Sequence, residues 1–209
     1  MISAYVGWPA TGKTQAMVDA VAGFASSSTF LVFDRAREWG AESVRWRATP
    51  PSITLCETLS QEIDGPGVYL FRPPIDPLDV VQRAIAIGSC TYVDDEIDTI
   101  ARAAGWPDNP LRLIAHQGRH LANAEGEIGE MGLLCAMRRP QSCHPDLTAM
   151  ADHAAIFRCA GKLTLARLHA DAWIEAGDEE TIRTLPNLTY LAWPERDWRQ
   201  IRDPWRKRK

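Results

Sequence analysis

The sequence lacks any apolar run approaching the roughly 18 residues needed to cross a bilayer. It opens Met1-Ile2-Ser3-Ala4-Tyr5-Val6, with neither a basic segment nor a long apolar core, so this start does not read as a secretory signal. It is poor in lysine: four lysines stand against nineteen arginines, and Lys13 is the only one before Lys162. It has no Cys-x-x-Cys pair. Its five cysteines (Cys56, Cys90, Cys135, Cys143 and Cys159) are odd in number, so reduced thiols are the simplest account. Cys143-His144 with His153 and Cys159 fits no standard zinc spacing. With 45% hydrophobic and 24% charged residues in 209, the balance is globular, which excludes disorder and fibrous repeats.

Charge is unevenly spread. The formal net charge is −4, yet residues 196–209 carry +5 and the rest −9. The expected division is a body over 1–195 and a basic tail over 196–209 that contains Trp198 and Trp205. Such a tail can meet phosphates, an anionic membrane or an acidic partner, or simply be a solvated terminus.

Apolar runs and turn residues set out the order of elements. Strands are expected at Met1–Val6, Thr29–Phe33, Ser52–Cys56, Val68–Phe71, Cys90–Val93, Gly132–Met137, His153–Arg158 and Leu188–Ala192. Helices are expected from Gly12 to about Phe24, at Asp76–Ile87, Ile97–Ala104, Leu111–Gln117 and Lys162–Ala176, with a turn or two at Pro145–Ala151. Gly118–Met131 reads as irregular. Strands alternating with helices predict an α/β fold, a mostly parallel central sheet with helices on both faces.

Gly7-Trp8-Pro9-Ala10-Thr11-Gly12-Lys13-Thr14 matches the G-x-x-x-x-G-K-[ST] phosphate loop in full, between an expected strand and an expected helix. Backbone N–H groups in such a loop point inward at phosphate oxygens, and the helix start adds positive partial charge. Lys13 would reach the β- and γ-phosphates of ATP, and the Thr14 hydroxyl would hold Mg²⁺.

Cys90-Thr91-Tyr92-Val93-Asp94-Asp95-Glu96 is an apolar strand ending in three acids. A strand beside the phosphate loop could deliver one carboxylate to Mg²⁺ and the next to an attacking water. The favoured assignment is Asp95 to the metal and Glu96 as base. The alternative register uses Asp94 and Asp95, which keeps Asp94 among the metal candidates.

Four further stretches make the chain resemble the FtsK/HerA superfamily of DNA-pumping ATPases, especially small viral genome-packaging members. They are Phe30–Trp39 with its Asp34 and Glu38-Trp39, the Asp95-Glu96 strand end, Gln117-Gly118-Arg119-His120, and Leu133–Met137 running into Arg138-Arg139-Pro140-Gln141. His144–Leu147 and Asp152–Arg158 follow in the same order, so the resemblance covers roughly residues 2–175. It implies a RecA-like P-loop NTPase fold, with nucleotide held by Gly7 to Thr14. It also implies a homo-oligomeric ring, usually a hexamer, with ATP between neighbours. Catalytic roles would fall to Lys13, Asp95, Glu96 and Arg119, the last as an arginine finger with Arg112 and Arg139 as alternatives. The superfamily's sensor Gln falls on Arg138, a cation that can still touch a γ-phosphate. Residues 121–131 look like an inserted loop.

The resemblance further implies sequence-independent binding of double-stranded DNA, association with a capsid vertex, and a place in the host cytoplasm at the procapsid or virion. DNA cations would come from the basic tail or from Arg45 and Arg47. A second class, a nucleotide or small-molecule kinase, shares the loop. A third, a nucleotide switch without turnover, is disfavoured by the presence of both Lys13 and Glu96.

Overall fold

The computed structural model describes residues 1–43, 45–46, 52–118 and 120–201. Nine strands form one sheet: β1 (Ile2–Val6), β2 (Thr29–Phe33), β3 (Ile53–Cys56), β4 (Gly67–Phe71), β5 (Thr91–Asp94), β8 (Gly132–Met137), β9 (His153–Phe157), β10 (Thr189–Trp193) and β11 (Asp197–Gln200). Two short strands, β6 (Leu121–Ala122) and β7 (Ile128–Gly129), pair as a separate antiparallel ribbon in the expected irregular stretch. The helices are α1 (Lys13–Phe24), α2 (Pro77–Ile87), α3 (Leu111–Gln117), α4 (Pro145–Ala149), α5 (Lys162–Ala170) and α6 (Glu179–Thr184).

The strand order is β11-β10-β9-β1-β8-β5-β2-β4-β3. Every pairing from β9 through β3 is parallel; only the β9–β10 and β10–β11 pairings are antiparallel, so β10 alone runs against the rest. The parallel strands are apolar on both faces, as a sheet covered on both sides requires. β8 is buried at all six positions, and Leu133, Cys135 and Met137 point opposite to Leu134 and Ala136.

One face packs Val80, Val81, Leu111, Ile114, Leu147, Leu165, Leu168 and Ile182 of α2 to α6 against Val6, Phe33, Tyr92, Cys135 and Ile156. The other face is covered by Met17, Val18 and Val21 of α1 together with Trp39 and Trp46. These two indoles meet edge to face at 5.9 Å, and the Trp46 Nε1–H donates to the Trp39 and Gly40 carbonyls. All five cysteines are free and buried.

Three expectations need correction. The segment 196–209 does not begin as a free tail: residues 197–200 are β11, and Ile201 is buried beside Ala155 and Phe157. The helix over Ile97–Ala104 is a single 3₁₀ turn at Ile97–Thr99, because Arg102 leaves it to bridge Cys143. α5 stops at Ala170, since Ala172 takes a left-handed backbone (φ 57°) and turns Trp173 and Ile174 into the core. β8 lies between β1 and the acid-tipped strand β5. Trp205 and Arg47 lie outside the described residues.

Candidate nucleotide site

The ends of β1, β8, β5, β2 and β4 line up along one edge of the sheet, where open parallel sheets bind ligands. Val6 is in register with Met137, Cys135 with Asp94, and Asp94 with Phe33. The residues that leave those ends are therefore neighbours: the phosphate loop, Arg138, Asp95-Glu96 and Asp34-Arg35.

The loop is built tightly. A Cβ on Gly7 would lie 2.7 Å from Phe157 Cβ, so only glycine fits there. Gly12 precedes α1 in a left-handed conformation (φ 113°), and a Cβ there would meet Leu188 Cδ2 at 2.9 Å. The Thr11 hydroxyl donates to the Trp8 carbonyl at 2.8 Å. The Trp8 N–H donates to the Arg158 carbonyl at 3.0 Å, and the Trp8 ring is exposed. Pro9 and Ala10 are exposed loop residues, and Ala10 also has a left-handed backbone (φ 59°).

Lys13 is buried, and its ammonium donates to the carbonyls of Gly7 and Trp8, each at 2.8 Å. Burial first, and the Arg138 guanidinium second, lower its pKa to about 8.

The three acids after β5 have three different environments. Asp94 is fully buried. Its Oδ2 accepts from the Tyr92 hydroxyl at 3.1 Å and its Oδ1 from the Glu96 N–H at 2.8 Å. Both oxygens are thus taken up in holding the turn, and the structure brings Asp95, not Asp94, to Thr14. Asp95 Oδ2 lies 3.5 Å from Thr14 Oγ1, while its Oδ1 is buried without a hydrogen-bond partner among the described residues. Burial and then the Asp94 carboxylate raise the Asp95 pKa to about 7. Glu96 is partly exposed, paired through Oε1 with Arg138 Nη2, and its Oε2 lies 3.6 Å from Arg35 Nε.

The residues fit Mg²⁺. Two cis oxygens of an octahedral Mg²⁺ sit about 3 Å apart, given ligand distances of about 2.1 Å. The Thr14–Asp95 pair approaches that spacing, and the orphaned Asp95 oxygen has the hard-donor chemistry the ion prefers.

Behind the acids, Asp34 braces the edge. Its Oδ2 accepts two bonds from Arg72 (2.8 and 2.6 Å), and its Oδ1 accepts from the Glu38 N–H at 2.7 Å. Arg45 pairs with Glu38 at 2.8 Å. Arg119, the first-choice arginine finger, lies outside the described residues. Arg112 and Arg139 are both exposed. The sequence reading missed Arg35. Its link to Glu96 spans 61 positions, and no local pattern announces it.

The His144 ring stacks on Trp106 at 4.7 Å beside Asp146. Among the described residues no group of three or more His, Cys, Asp or Glu side chains is arranged to hold a metal ion. A cavity of about 830 Å³ opens at the opposite end of the strands, near Met1, Thr29, Gly132 and His153, so cavity size does not mark this site.

This architecture is the P-loop NTPase fold. The chain is similar over nearly its whole length to solved structures of the genome packaging NTPase B204 from Sulfolobus turreted icosahedral virus 2. With ATPγS bound, that protein is 16% identical, with 96% of each chain covered and a TM-score of 0.69. With AMPPCP the values are 16%, 95% and 0.71. The DNA-packaging ATPase B204 from Sulfolobus turreted icosahedral virus is 15% identical over 95% of each chain, with a TM-score of 0.64. No protein-family model matches the chain, and no curated protein matches it. No helix among the described residues is long and apolar enough to cross a membrane.

Proposed function

We propose that this protein is a Mg²⁺-dependent ATPase that drives double-stranded DNA into a preformed viral shell, working as a homo-oligomeric ring, on the superfamily pattern a hexamer. The observation that carries the reading is the convergence of Lys13, Thr14, Asp95, Glu96 and Arg138 on one sheet edge. The packaging role rests on the likeness to B204 and on the resemblance of the sequence to DNA-pumping ATPases.

Loop N–H groups from Gly7 to Thr14 hold the phosphates, and Lys13 exchanges its loop carbonyls for the β- and γ-phosphate oxygens. Thr14 and Asp95 would hold Mg²⁺, which would supply neutralisation of phosphate charge. Asp94 fixes the turn so that Glu96 can orient a water and accept its proton. A neighbouring subunit's arginine completes the charge around the γ-phosphate: Arg119, or else Arg112 or Arg139. DNA contacts are to phosphates, through the basic residues after β11 and through Arg45 and Arg47, and are indifferent to sequence. Action at a capsid vertex places the protein in the host cytoplasm, at the procapsid or virion.

The test is steady-state ATP hydrolysis with and without long double-stranded DNA. Turnover should rise with DNA, and the rise should shrink with salt. Lys13→Ala and Glu96→Gln should each lower turnover by about 100-fold or more, with Glu96→Gln still binding nucleotide. Turnover indifferent to DNA in an assembled ring, or phosphate passed to an added nucleoside monophosphate, would overturn the reading.

A further inference from the structure

The two faces of the sheet are covered unequally. On one, α5 and α6 bring Leu165, Leu168 and Ile182 against Ile156 of β9 and Leu191 of β10. On the other, α1 packs over the middle of the sheet. Beside α1, over β9 and β10, lies the cavity of about 830 Å³. Its floor includes Ser3, Tyr5, Ala155, Tyr190 and Ala192, and Ala20 and Phe24 of α1 form one wall. Phe24 is 62% exposed although it faces this largely apolar groove.

The head of the groove is filled by the chain itself. Ile201 is buried against Ala16, Ala155 and Phe157, about one helical turn above Ala20. Its N–H continues the β10–β11 ladder by donating to the Leu188 carbonyl. The groove runs from there toward Met1 and His153, back along the length of β10. After Ile201 the sequence reads Arg202-Asp203-Pro204-Trp205-Arg206-Lys207-Arg208-Lys209. These residues lie outside the described ones.

We propose that the groove is the seat of the chain's own residues 202–209, with the Trp205 indole as the anchor. Asp203-Pro204 favours the turn that reverses the chain below Ile201. The five residues from Trp205 to Lys209 span about 16 Å when extended, as do the five residues of β10 beneath them. An indole fills the space between Tyr5, Tyr190 and Ala20, and the Ser3 hydroxyl on the floor can accept its N–H. Charge at the far end fits as well. Glu130 and Glu195 line it, and Asp197 is paired with Ala192 on the same face. Arg199, the cation among them, lies 3.8 Å from Glu195 and 3.6 Å from Asp197, and the Met1 ammonium donates to the Met131 carbonyl. Three acids thus meet two cations, and the surplus faces Arg206 to Lys209. The seat is separate from the nucleotide site and does not depend on the ATPase reading. DNA phosphates compete for the same basic residues, so the seat is filled in the protein free of DNA.

Two measurements on the full chain, made without DNA, test this. Phe24→Cys with Arg206→Cys is treated with a bifunctional maleimide, to which the five buried native thiols are shielded. Peptide mapping should find a link between the two new cysteines within one chain. Ala20→Arg adds bulk and like charge at a half-buried position of the wall, and should lower the yield of that link by about tenfold. The second measurement changes only the segment itself. A dye-labelled synthetic peptide of residues 202–209 should bind Trp205→Ala about tenfold more tightly than the wild type, whose tethered segment competes at high effective concentration. Fluorescence polarisation gives both affinities. Absence of the link, a link formed only between two chains, a yield indifferent to Ala20→Arg, or equal peptide binding by wild type and Trp205→Ala each overturns the proposal. A link between chains alone would give the groove to the segment of a second copy.

Discussion

The Leu188 N–H donates to the Thr11 carbonyl at 2.8 Å, which ties the approach to β10 directly to the phosphate loop. The Ile201 N–H then donates to the Leu188 carbonyl at 2.6 Å, so the antiparallel end of the sheet is stitched to the site from two strands.

That brace makes Gly12 sensitive to any side chain. Gly12→Ala adds a methyl 2.9 Å from Leu188 Cδ2 at a left-handed φ. It should destabilise the fold by about 1–3 kcal/mol and abolish nucleotide binding. Thermal denaturation and calorimetry check both, and a stable, nucleotide-binding Gly12→Ala protein would show that the loop is not braced as described.

Nucleotide affinity should depend on pH through Lys13. Its pKa in the nucleotide-free site is about 8, and a phosphate anion favours the charged form. Above pH 8 binding must therefore take up a proton. Affinity for Mg²⁺-free ADP should fall about tenfold between pH 7 and pH 9. Heats measured in buffers of different ionisation enthalpy should report uptake approaching one proton at pH 9. Arg138→Ala removes the second cause of the lowered pKa and should move the fall to higher pH.

Much of this site can be read in the sequence because its parts are local. Gly7, Gly12, Lys13 and Thr14 sit at fixed spacing, and the acids directly follow an apolar run. The parallel core strands can be read for the same reason, since burial on both faces leaves them continuously apolar. What is not legible is non-local or compensated. Strand order decides that Arg138, at the end of β8, comes between the loop and the acids. β11 escapes a hydrophobicity reading because all four of its residues are exposed. Nor does the sequence show that Tyr92 and the Glu96 N–H occupy the oxygens of Asp94 while Asp95 lies beside Thr14.

Asp95 predicts a pH-dependent stability of unusual sign. Its carboxyl is raised to about 7 and that of Asp94 to about 6, chiefly by burial, against about 3.9 in an unfolded chain. The folded state therefore binds protons more tightly than the unfolded state, and stability falls as pH rises from about 4 to 7, then levels. Without nucleotide or Mg²⁺, Asp95→Asn should raise the melting temperature at pH 8 by several degrees and flatten the fall. Mg²⁺ should stabilise the wild type at pH 8 far more than at pH 5. Differential scanning fluorimetry across pH decides the matter, and an unchanged profile in Asp95→Asn would count against a buried carboxylate there.

Asp146 has the opposite sign. The His116 hydrogen bond first, and that of Trp106 with it, hold its pKa below the usual carboxylate range. Its contribution is present above about pH 4 and is lost as pH falls through the lower folded value. Asp146→Asn should cost about 0.5–1 kcal/mol at pH 7, as a partly exposed pair does, and less at pH 3. Denaturant melts at the two pH values give the comparison.

The buried cysteines have a practical use. Burial pushes the Cys56 thiol up to about 11 and those of Cys90, Cys143 and Cys159 to about 12, while that of Cys135 is also raised. In the native protein these thiols are neutral and shielded, so an alkylating reagent meets them only when the chain opens. The wild-type chain is thus its own reporter of opening. A single cysteine placed on the surface becomes a selective handle for dyes or DNA cross-linkers, with no need to remove the five already there.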